Sequence, residues 1–166
     1  MSTLSSALEA KAREVLTVCA EAKLMIATAE SCTGGLVAAA LTAIPGSSSV
    51  VERGFVTYSN KAKTEMLGVT DALLERLGAV SDSVAINMAE GALKRAGVGA
   101  TVAITGIAGP TGGTAEKPVG LVFIAAAFRG KPALVERHVF PGDRDAIRLA
   151  SALAAMDLLI RRIVED

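Results

Sequence analysis

Cysteine and histidine are scarce in this sequence of 166 residues. The two cysteines, Cys19 and Cys32, are too few for a disulfide framework. The single histidine, His138, has no second histidine and no cysteine pair at ligand spacing beside it. Because protein zinc sites are built from several such ligands, we expect no metal centre.

Charge and aromatic content do not favour a nucleic-acid partner. Lysine and arginine together number 17, as do aspartate and glutamate, so there is no basic excess to neutralise a phosphate backbone. Aromatic residues make up 3% of the chain, and tryptophan is missing, which leaves few surfaces on which unpaired bases stack. We therefore expect no nucleic-acid binding.

Long apolar segments are also lacking. No apolar run reaches the roughly 18 residues that a membrane-spanning helix needs. The first helical stretch carries Glu9, Lys11 and Arg13 where a signal peptide would be apolar. We expect no membrane association, and the low cysteine content is typical of the reducing cytoplasm.

What the chain has in quantity is apolar residues. They make up 51% of the sequence against 20% charged residues, a balance that excludes an intrinsically disordered chain. The length is that of one domain, which we expect to span residues 1–166.

Apolar periodicity predicts alternating helices and strands. Leu8, Ala12, Val15 and Cys19 recur at steps of three and four, which indicates an amphipathic helix over about 4–22. Similar patterns predict strands over 24–29, 54–58, 100–105, 119–128 and 133–140, and helices over about 36–43, 61–67, 82–96, from 70 or 71, and after Asp143.

This order of elements predicts the fold class. Strands alternating with helices are typical of a three-layer α/β/α sandwich. The last two strands are joined only by Gly130-Lys131-Pro132, and so short a connection favours an antiparallel pair. We therefore expect a mixed, mostly parallel sheet.

The first candidate site segment is Glu30-Ser31-Cys32-Thr33-Gly34-Gly35, between a buried strand and a helix. The glycines permit a sharp turn, and the first N–H groups of a helix can hold an anion or an oxyanion. Alternatively, Ser31 or Thr33 simply caps the helix.

The second candidate segment holds two lysines, Lys61 and Lys63, in the first turn of a helix. Either both are solvated, or one is buried and acts as a base. Burial, together with like charge from the helix dipole or Arg53, would lower the pKa of such a lysine.

The third candidate segment is the glycine-rich stretch 106–113, which follows a strand but matches neither of the common phosphate-binding motifs. It is either a loop that wraps a ligand such as a nucleotide or a plain tight connection. Further along, Asp143 is expected to cap the last helix. Arg144 then either offers a fork to phosphate or pairs with a neighbouring aspartate.

A serine nucleophile in this chain would need a base. His138 lies in a strand of alternating polarity and is expected at the surface or an edge. Lysine is therefore a more plausible base for serine. Cys32 is an alternative nucleophile, but it has no evident histidine partner.

Five motifs stand in an order that resembles the CinA C-terminal domain family, whose stand-alone members are nicotinamide-nucleotide amidases of the PncC type. The similarity runs from about residue 24 to 150. The motifs are AESCTGG at 29–35, GFVTYSN at 54–60 followed by Lys61 and Lys63, GAVS at 78–81, TGIAGP at 105–110 and KPVG at 117–120.

The resemblance implies hydrolysis of the carboxamide of nicotinamide mononucleotide, in pyridine nucleotide recycling. It implies a serine–lysine pair, Ser31 and Lys63, working without a metal or cofactor. It places Tyr58, Thr105 and Arg144 at the pocket. By geometry we add backbone N–H groups of Thr33, Gly34 and Gly35 for the oxyanion, and Arg144 with the 106–113 loop, including Gly106 and Gly109, for the phosphate and ribose.

Two other functions stay open at this point: a non-catalytic nucleotide-binding or interaction module of the same family, and a Cys32 thiol enzyme. The wide apolar stripe of the last helix, with Leu149, Leu153, Met156, Ile160 and Ile163 on one face, favours a homo-oligomer.

Overall fold

The computed structural model describes residues 3–165, so residues 1, 2 and 166 of the expected domain lie outside the described part. The element order is the predicted one, with one added 3₁₀ turn at Ser47–Ser49. The elements are α1 (Ser6–Glu21), β1 (Ile26–Glu30), α2 (Leu36–Thr42), β2 (Val51–Val56), α3 (Asn60–Leu67), α4 (Asp71–Leu77), α5 (Asp82–Ala96), β3 (Ala100–Gly106), β4 (Leu121–Phe128), β5 (Lys131–Val139) and α6 (Arg144–Val164).

The strands form one mixed sheet in the order β2-β1-β3-β4-β5 within residues 3–165. β1 pairs in parallel with β2 and β3, whereas β4 is antiparallel to both β3 and β5. Four of these five strands therefore point in one direction and β4 points in the other, which confirms the mixed, mostly parallel prediction.

Helices cover both faces of the sheet. On one face α1, α2 and α6 pack over residues such as Ile26, Val102 and Ile124. On the other face α3, α4 and α5 pack over the alternate residues of the same strands, among them Ala27 and Ala103. The two-residue alternation of each buried strand thus supplies both cores, and the three-layer sandwich is confirmed.

The strand boundaries differ from their predictions by up to three residues, and two of these differences have a structural reason. The strand expected over 54–58 is Val51–Val56, because its first residue already pairs with Ile26 and the residues after Val56 leave the sheet to begin α3. The turn between β4 and β5 is Arg129-Gly130, and Pro132 lies inside β5. A proline is tolerated there because β5 is an edge strand.

The helix starts follow the predicted capping chemistry. The side chains of Ser59, Thr70, Ser81 and Asp143 each accept a backbone N–H from the first turn of α3, α4, α5 and α6. Cys19 is buried in α1, and both cysteines are free thiols.

The carboxyl ends of β1, β2 and β3 meet at one edge of the sheet, because these strands are parallel neighbours. The three predicted site segments follow these strand ends. Across residues 3–165, no helix combines the length and apolarity needed to cross a membrane. A homo-oligomer and a cytoplasmic location stay predictions.

The packing of α5 against α3 depends on Gly91. A Cβ atom at this position would lie 2.0 Å from the backbone carbonyl oxygen of Leu67, the last residue of α3. Glycine inside a helix is ordinarily less favourable than alanine by about 0.5–1 kcal/mol. Here the close approach of two backbones reverses that preference.

We therefore expect Gly91→Ala to lower the free energy of unfolding by about 1–3 kcal/mol, as overpacking does, instead of raising it. Denaturant unfolding monitored by circular dichroism measures the change. Glu90→Ala, at the exposed neighbouring position, is the matched control and should change stability by less than about 0.5 kcal/mol. A Gly91→Ala protein as stable as the parent would contradict the close packing.

Candidate active site

Ser31 is the first residue beyond β1. Its backbone N–H donates to Ile104 O of β3 at 3.0 Å, so the end of the sheet fixes its position. Gly34 and Gly35 then adopt positive φ angles of 60° and 105°, which turn the chain into α2. The serine side chain is thereby held at the sheet edge just before a helix.

The N-terminus of α2 is occupied by a carboxylate of the protein itself. Glu30 is fully buried, and its oxygens accept the Thr33 hydroxyl at 2.7 Å and the N–H groups of Val37 and Ala38 at 2.9 and 3.1 Å. A negative side chain is favourable at this end of a helix. Neither Ser31 nor Thr33 is the N-cap residue, because that position belongs to Gly35.

The structure does not bring the predicted oxyanion group into the site. The Gly34 N–H donates to Ser31 O at 2.9 Å, and the Thr33 hydroxyl is committed to Glu30. Thr33, Gly34 and Gly35 are also not among the residues that line the cavity beside Ser31. Glu30 fills the anion site at the N-terminus of α2, which the sequence pattern did not indicate, and the oxyanion role of Thr33, Gly34 and Gly35 stays a prediction.

Lys63 in α3 reaches back under the loop to Ser31. Its Nζ lies 3.0 Å from Ser31 Oγ, 2.9 Å from Thr57 O and 3.3 Å from Tyr58 O. The side chain is 1% exposed. The structure therefore matches the alternative in which one lysine of the segment is buried. The other, Lys61, is exposed and pairs with Glu65 at 3.7 Å.

Burial lowers the pKa of Lys63 from the ordinary lysine value of 10.5. The neighbouring Cys32 acts weakly in the opposite direction. The expected contribution of Arg53 is not found, because Arg53 pairs with Glu52 on the exposed edge strand. Desolvation is therefore the cause of the shift.

A cavity of about 280 Å³ opens beside Ser31 and Lys63. Seven predicted site residues line it: Ser31, Tyr58, Lys63, Thr105, Gly106, Gly109 and Arg144. Of the other lining residues, Asn60, Ala79 and Val80 were not singled out from the sequence as ligand contacts. Their positions follow from the parallel strand ends, which no local pattern reveals.

Arg144 bridges two walls of this cavity. Its guanidinium donates to Gly109 O at 2.7 Å and to the Tyr58 hydroxyl at 3.1 Å. Asp143 caps α6 by accepting the Ala146 N–H, and within residues 3–165 Arg144 forms no ion pair with either neighbouring aspartate. The guanidinium is thus the charged group at the cavity that is available to an anionic ligand.

Thr105 and the glycines of the 106–113 loop shape the cavity. The Thr105 hydroxyl donates to Ala79 O at 2.8 Å and so holds the 78–81 loop against β3. Cβ atoms at Gly106 and Gly109 would lie 2.9 Å from Leu121 O and 2.4 Å from a Val119 methyl group. The loop is both a tight connection and a cavity wall, so the two interpretations of its glycines are compatible.

Arg148 was missed by sequence reasoning. It lies one helical turn beyond Arg144 and donates from Nε to Cys32 O at 3.1 Å and from Nη2 to Thr33 O at 3.0 Å. The spacing of four residues from Arg144 is the signal that places both arginines on one face of α6. Arg148 therefore ties the loop that carries Ser31 to α6.

The alternative catalytic residues fit less well. Burial raises the pKa of the Cys32 thiol to about 11, which disfavours a thiolate nucleophile. His138 lies in the edge strand β5, is 2.7 Å from Glu136 and does not line the cavity. Within residues 3–165, no group of three or more potential metal-ligating side chains was found.

The site therefore combines a hydroxyl, a buried amine and a guanidinium in one cavity. A hydroxyl within hydrogen-bond distance of a base is the arrangement that nucleophilic catalysis uses. A guanidinium suits a phosphate or carboxylate.

Known proteins resemble this chain in sequence and in fold. The CinA C-terminal domain family matches residues 8–163. A "CinA-like protein" of Akkermansia muciniphila is 54% identical over 144 residues, which cover 86% of this chain and 35% of that protein. The "Nicotinamide-nucleotide amidohydrolase PncC" of Escherichia coli strain K12 is 49% identical over 141 residues, which cover 85% of this chain and 86% of that protein. This chain thus spans about a third of the first relative and most of the second.

Solved structures of related proteins have the same fold. The competence/damage inducible protein CihA from Agrobacterium tumefaciens superposes with a TM-score of 0.93 at 50% identity, covering 96% of this chain and 98% of that one. A CinA superfamily protein from Escherichia coli gives a TM-score of 0.90 at 34% identity, with coverage of 97% and 94%. On these grounds the chain belongs to the CinA C-terminal domain family.

Proposed function

We propose that this protein hydrolyses the carboxamide of nicotinamide mononucleotide to nicotinate mononucleotide and ammonia, with Ser31 as nucleophile and Lys63 as general base. The observation that carries the proposal is the 3.0 Å separation of Lys63 Nζ and Ser31 Oγ in a buried setting. The substrate is the one named in the PncC relatives that this chain matches over most of their length.

The surroundings of Lys63 suit a neutral amine. As a neutral amine, Lys63 would donate its two N–H groups to Thr57 O and Tyr58 O, which leaves its lone pair for Ser31 Oγ, 3.0 Å away. In this form the amine accepts the serine hydroxyl and is ready to take its proton. An ammonium ion is disfavoured because burial removes it from water.

The reaction then proceeds in two halves. Lys63 removes the Ser31 proton while Oγ attacks the carboxamide carbon, and the resulting ammonium returns a proton to the departing nitrogen, which leaves as ammonia. A water molecule, deprotonated by Lys63, then attacks the acyl-serine; as the acyl C–O bond breaks, the Lys63 ammonium returns the proton to Ser31 Oγ and the nicotinate product leaves. The same amine serves both halves, so no histidine or metal is required.

The developing oxyanion needs backbone donors near Ser31. Cys32 follows Ser31 directly in the chain and lines the cavity, so its backbone N–H lies next to the proposed nucleophile. We assign this N–H to the oxyanion in place of the Gly34 and Gly35 groups. One such donor contributes about 3–4 kcal/mol to transition-state stabilisation.

Arg144 and the 106–113 loop hold the rest of the nucleotide in this proposal. The guanidinium offers paired donors to the phosphate, which is the strongest ligand geometry available to arginine. Gly106 and Gly109 present backbone rather than side chains to the cavity, which leaves room for the ribose.

The first prediction concerns the two reacting side chains. We expect Ser31→Ala to abolish ammonia release from nicotinamide mononucleotide and Lys63→Met to reduce it by about 10²–10⁴-fold, since the nucleophile and its base are lost. A coupled ammonia assay measures both, and thermal melting checks that each variant is folded. Lys61→Ala is the matched control, because Lys61 is exposed and two residues away.

Retention of most activity by Ser31→Ala would refute the assignment of the nucleophile and return attention to Cys32. Nucleotide binding without any ammonia release by the parent protein would favour the non-catalytic module instead. EDTA should leave the rate unchanged.

The second prediction concerns pH. Only the neutral amine accepts the Ser31 proton, so kcat/KM should rise with pH through the pKa of Lys63 and level off above it. Because burial lowers this pKa, the midpoint should lie clearly below 10.5. Initial rates measured across the pH range test this, and a midpoint at the ordinary lysine value would contradict a desolvated base.

Stability gives an independent check of the same shift. The pKa of Lys63 is lower in the folded protein than in the unfolded chain. At pH values between the folded-state pKa and 10.5, the unfolded chain therefore binds one proton that the folded protein does not. The free energy of unfolding of the parent should therefore rise with pH across that window relative to Lys63→Met. Parallel stability curves for the two proteins would show that the pKa is not shifted.

The third prediction separates the two arginines of α6. Arg144→Ala should raise KM by about 10–100-fold through loss of charged hydrogen bonds to the phosphate. Arg148→Ala should lower kcat with little change in KM, because Arg148 positions the Ser31 loop through the Cys32 and Thr33 carbonyls. Arg148→Lys should recover part of the loss. Equal effects of both alanine variants on KM would contradict this division.

A further inference from the structure

The site has a property that the serine–lysine mechanism alone does not explain, namely its charge. Among the described residues that line the cavity there is no aspartate or glutamate, and Arg144 is its permanent cation. Yet the proposed substrate carries a positive charge on its pyridinium ring. A cationic ring therefore enters a cavity that offers it no counter-ion.

Covalent geometry keeps this ring close to Lys63. For Ser31 Oγ to attack, the carboxamide carbon must lie about 3–3.5 Å from it. Lys63 Nζ is itself 3.0 Å from Oγ. The ring nitrogen is only two ring bonds beyond the carbon that bears the carboxamide, so the ring cation lies within roughly 10 Å of the amine, a range over which charges interact strongly in a protein interior.

Among the described residues, no carboxylate forms an ion pair with Lys63. The Glu30 carboxylate instead accepts hydrogen bonds from Thr33, Val37 and Ala38, and the Cys32 thiol is neutral because burial raises its pKa to about 11. From the loop after β2, Lys63 meets only carbonyl oxygens.

Charged groups on the other neighbouring elements face elsewhere. On α3 itself, Glu65 pairs with Lys61 at the surface. From α5, Arg95 contacts the Glu65 and Met66 carbonyls, and from α4, Asp71 faces Thr64. From α6, Arg144 lines the cavity and Arg148 donates to the Cys32 and Thr33 carbonyls, so both charges are positive.

We propose that the bound pyridinium ring and the ammonium form of Lys63 exclude each other, so that the substrate itself drives the proton off its catalytic base. The inference rests on the proposed function and extends it to a substrate class: nucleotides whose carboxamide is carried by a cationic ring. The proton leaves Lys63 Nζ for solvent as the ligand binds. By linkage, a protonated Lys63 weakens ligand binding by the same factor.

In the proposed pose Arg144 binds the substrate phosphate and partly offsets its negative charge, and the ribose separates the phosphate from the ring. The ring charge is left facing the amine. A reduced dihydronicotinamide ring has the same carboxamide, ribose and phosphate but no charge. It is therefore the matched probe for the ring cation.

The test uses Ser31→Ala, which retains Lys63 but cannot turn over substrate. Titration calorimetry in buffers of different ionisation enthalpy, between about pH 6 and 9, counts the protons released on binding. We expect nicotinamide mononucleotide to release up to one proton more than its reduced form. Any proton change of the phosphate is common to both ligands and cancels. The Ser31→Ala, Lys63→Met double variant should show no difference between them.

A kinetic measurement on the parent protein gives a second route that does not depend on a variant. The acid limb of kcat reports the substrate complex and that of kcat/KM the free enzyme. We expect the acid limb of kcat to lie roughly one pH unit below that of kcat/KM. A shift of this size is what two like charges within about 10 Å of each other produce in a protein.

Equal proton release with both ligands, or coincident limbs of kcat and kcat/KM, would overturn the inference while ammonia release by the parent still supported the amidase. Lack of ammonia release by the parent would instead refute the proposed function, and the inference would fall with it. A proton difference that persists in the double variant would also overturn the inference, because it would come from another group.

Discussion

The removal of one lysine amine from water is the constraint on which the rest of the site depends. Lys63 is nearly inaccessible, yet among residues 3–165 it has no carboxylate partner, and its amine contacts two carbonyls and the Ser31 hydroxyl. A buried ammonium without a counter-ion is strongly disfavoured, so the fold favours the neutral base. An amine with an unshared pair is what a serine nucleophile needs. In the proposed mechanism, the same lack of counter-charge makes the protonation of Lys63 sensitive to the charge of the bound ligand.

The fold brings this pair together through the parallel neighbours β1, β2 and β3. Ser31 follows β1, and Lys63 lies in the helix that begins just after β2. The glycine-rich loop follows β3, and α6 supplies Arg144 and Arg148 from across the cavity. The chemistry thus comes from four separate parts of the chain, while the sheet edge fixes their relative positions.

Glu30 has an unexpected part in this arrangement. By accepting the Thr33 hydroxyl and two N–H groups of α2, it occupies the anion site that the helix start would otherwise offer. In the proposed function, the phosphate is therefore assigned to Arg144 and the oxyanion to the backbone N–H of Cys32, which follows the serine.

Local sequence patterns predicted the helices and strands, whereas the pairing of distant residues was indicated only by the family resemblance. Apolar periodicity and capping residues such as Ser59 and Asp143 predicted the helices, since these signals act within one turn. Ser31 and Lys63 are 32 residues apart, and no spacing rule indicates that they meet.

The same limit explains what was missed. The contact of Arg148 with Cys32 spans 116 residues and depends on the tertiary fold. The part played by Glu30 depends on a turn with two positive φ angles, which the glycines permit but do not dictate.

The protonation state of Lys63 is the most direct test of this account. Nuclear magnetic resonance of the side-chain Nζ and Cε atoms, with the Lys63 signal assigned by its loss in Lys63→Met, follows that state across pH. The account predicts that Lys63 titrates clearly below 10.5 and is a neutral amine at pH values where the enzyme is fully active. A Lys63 signal that remains that of an ammonium ion up to the ordinary lysine value would contradict it.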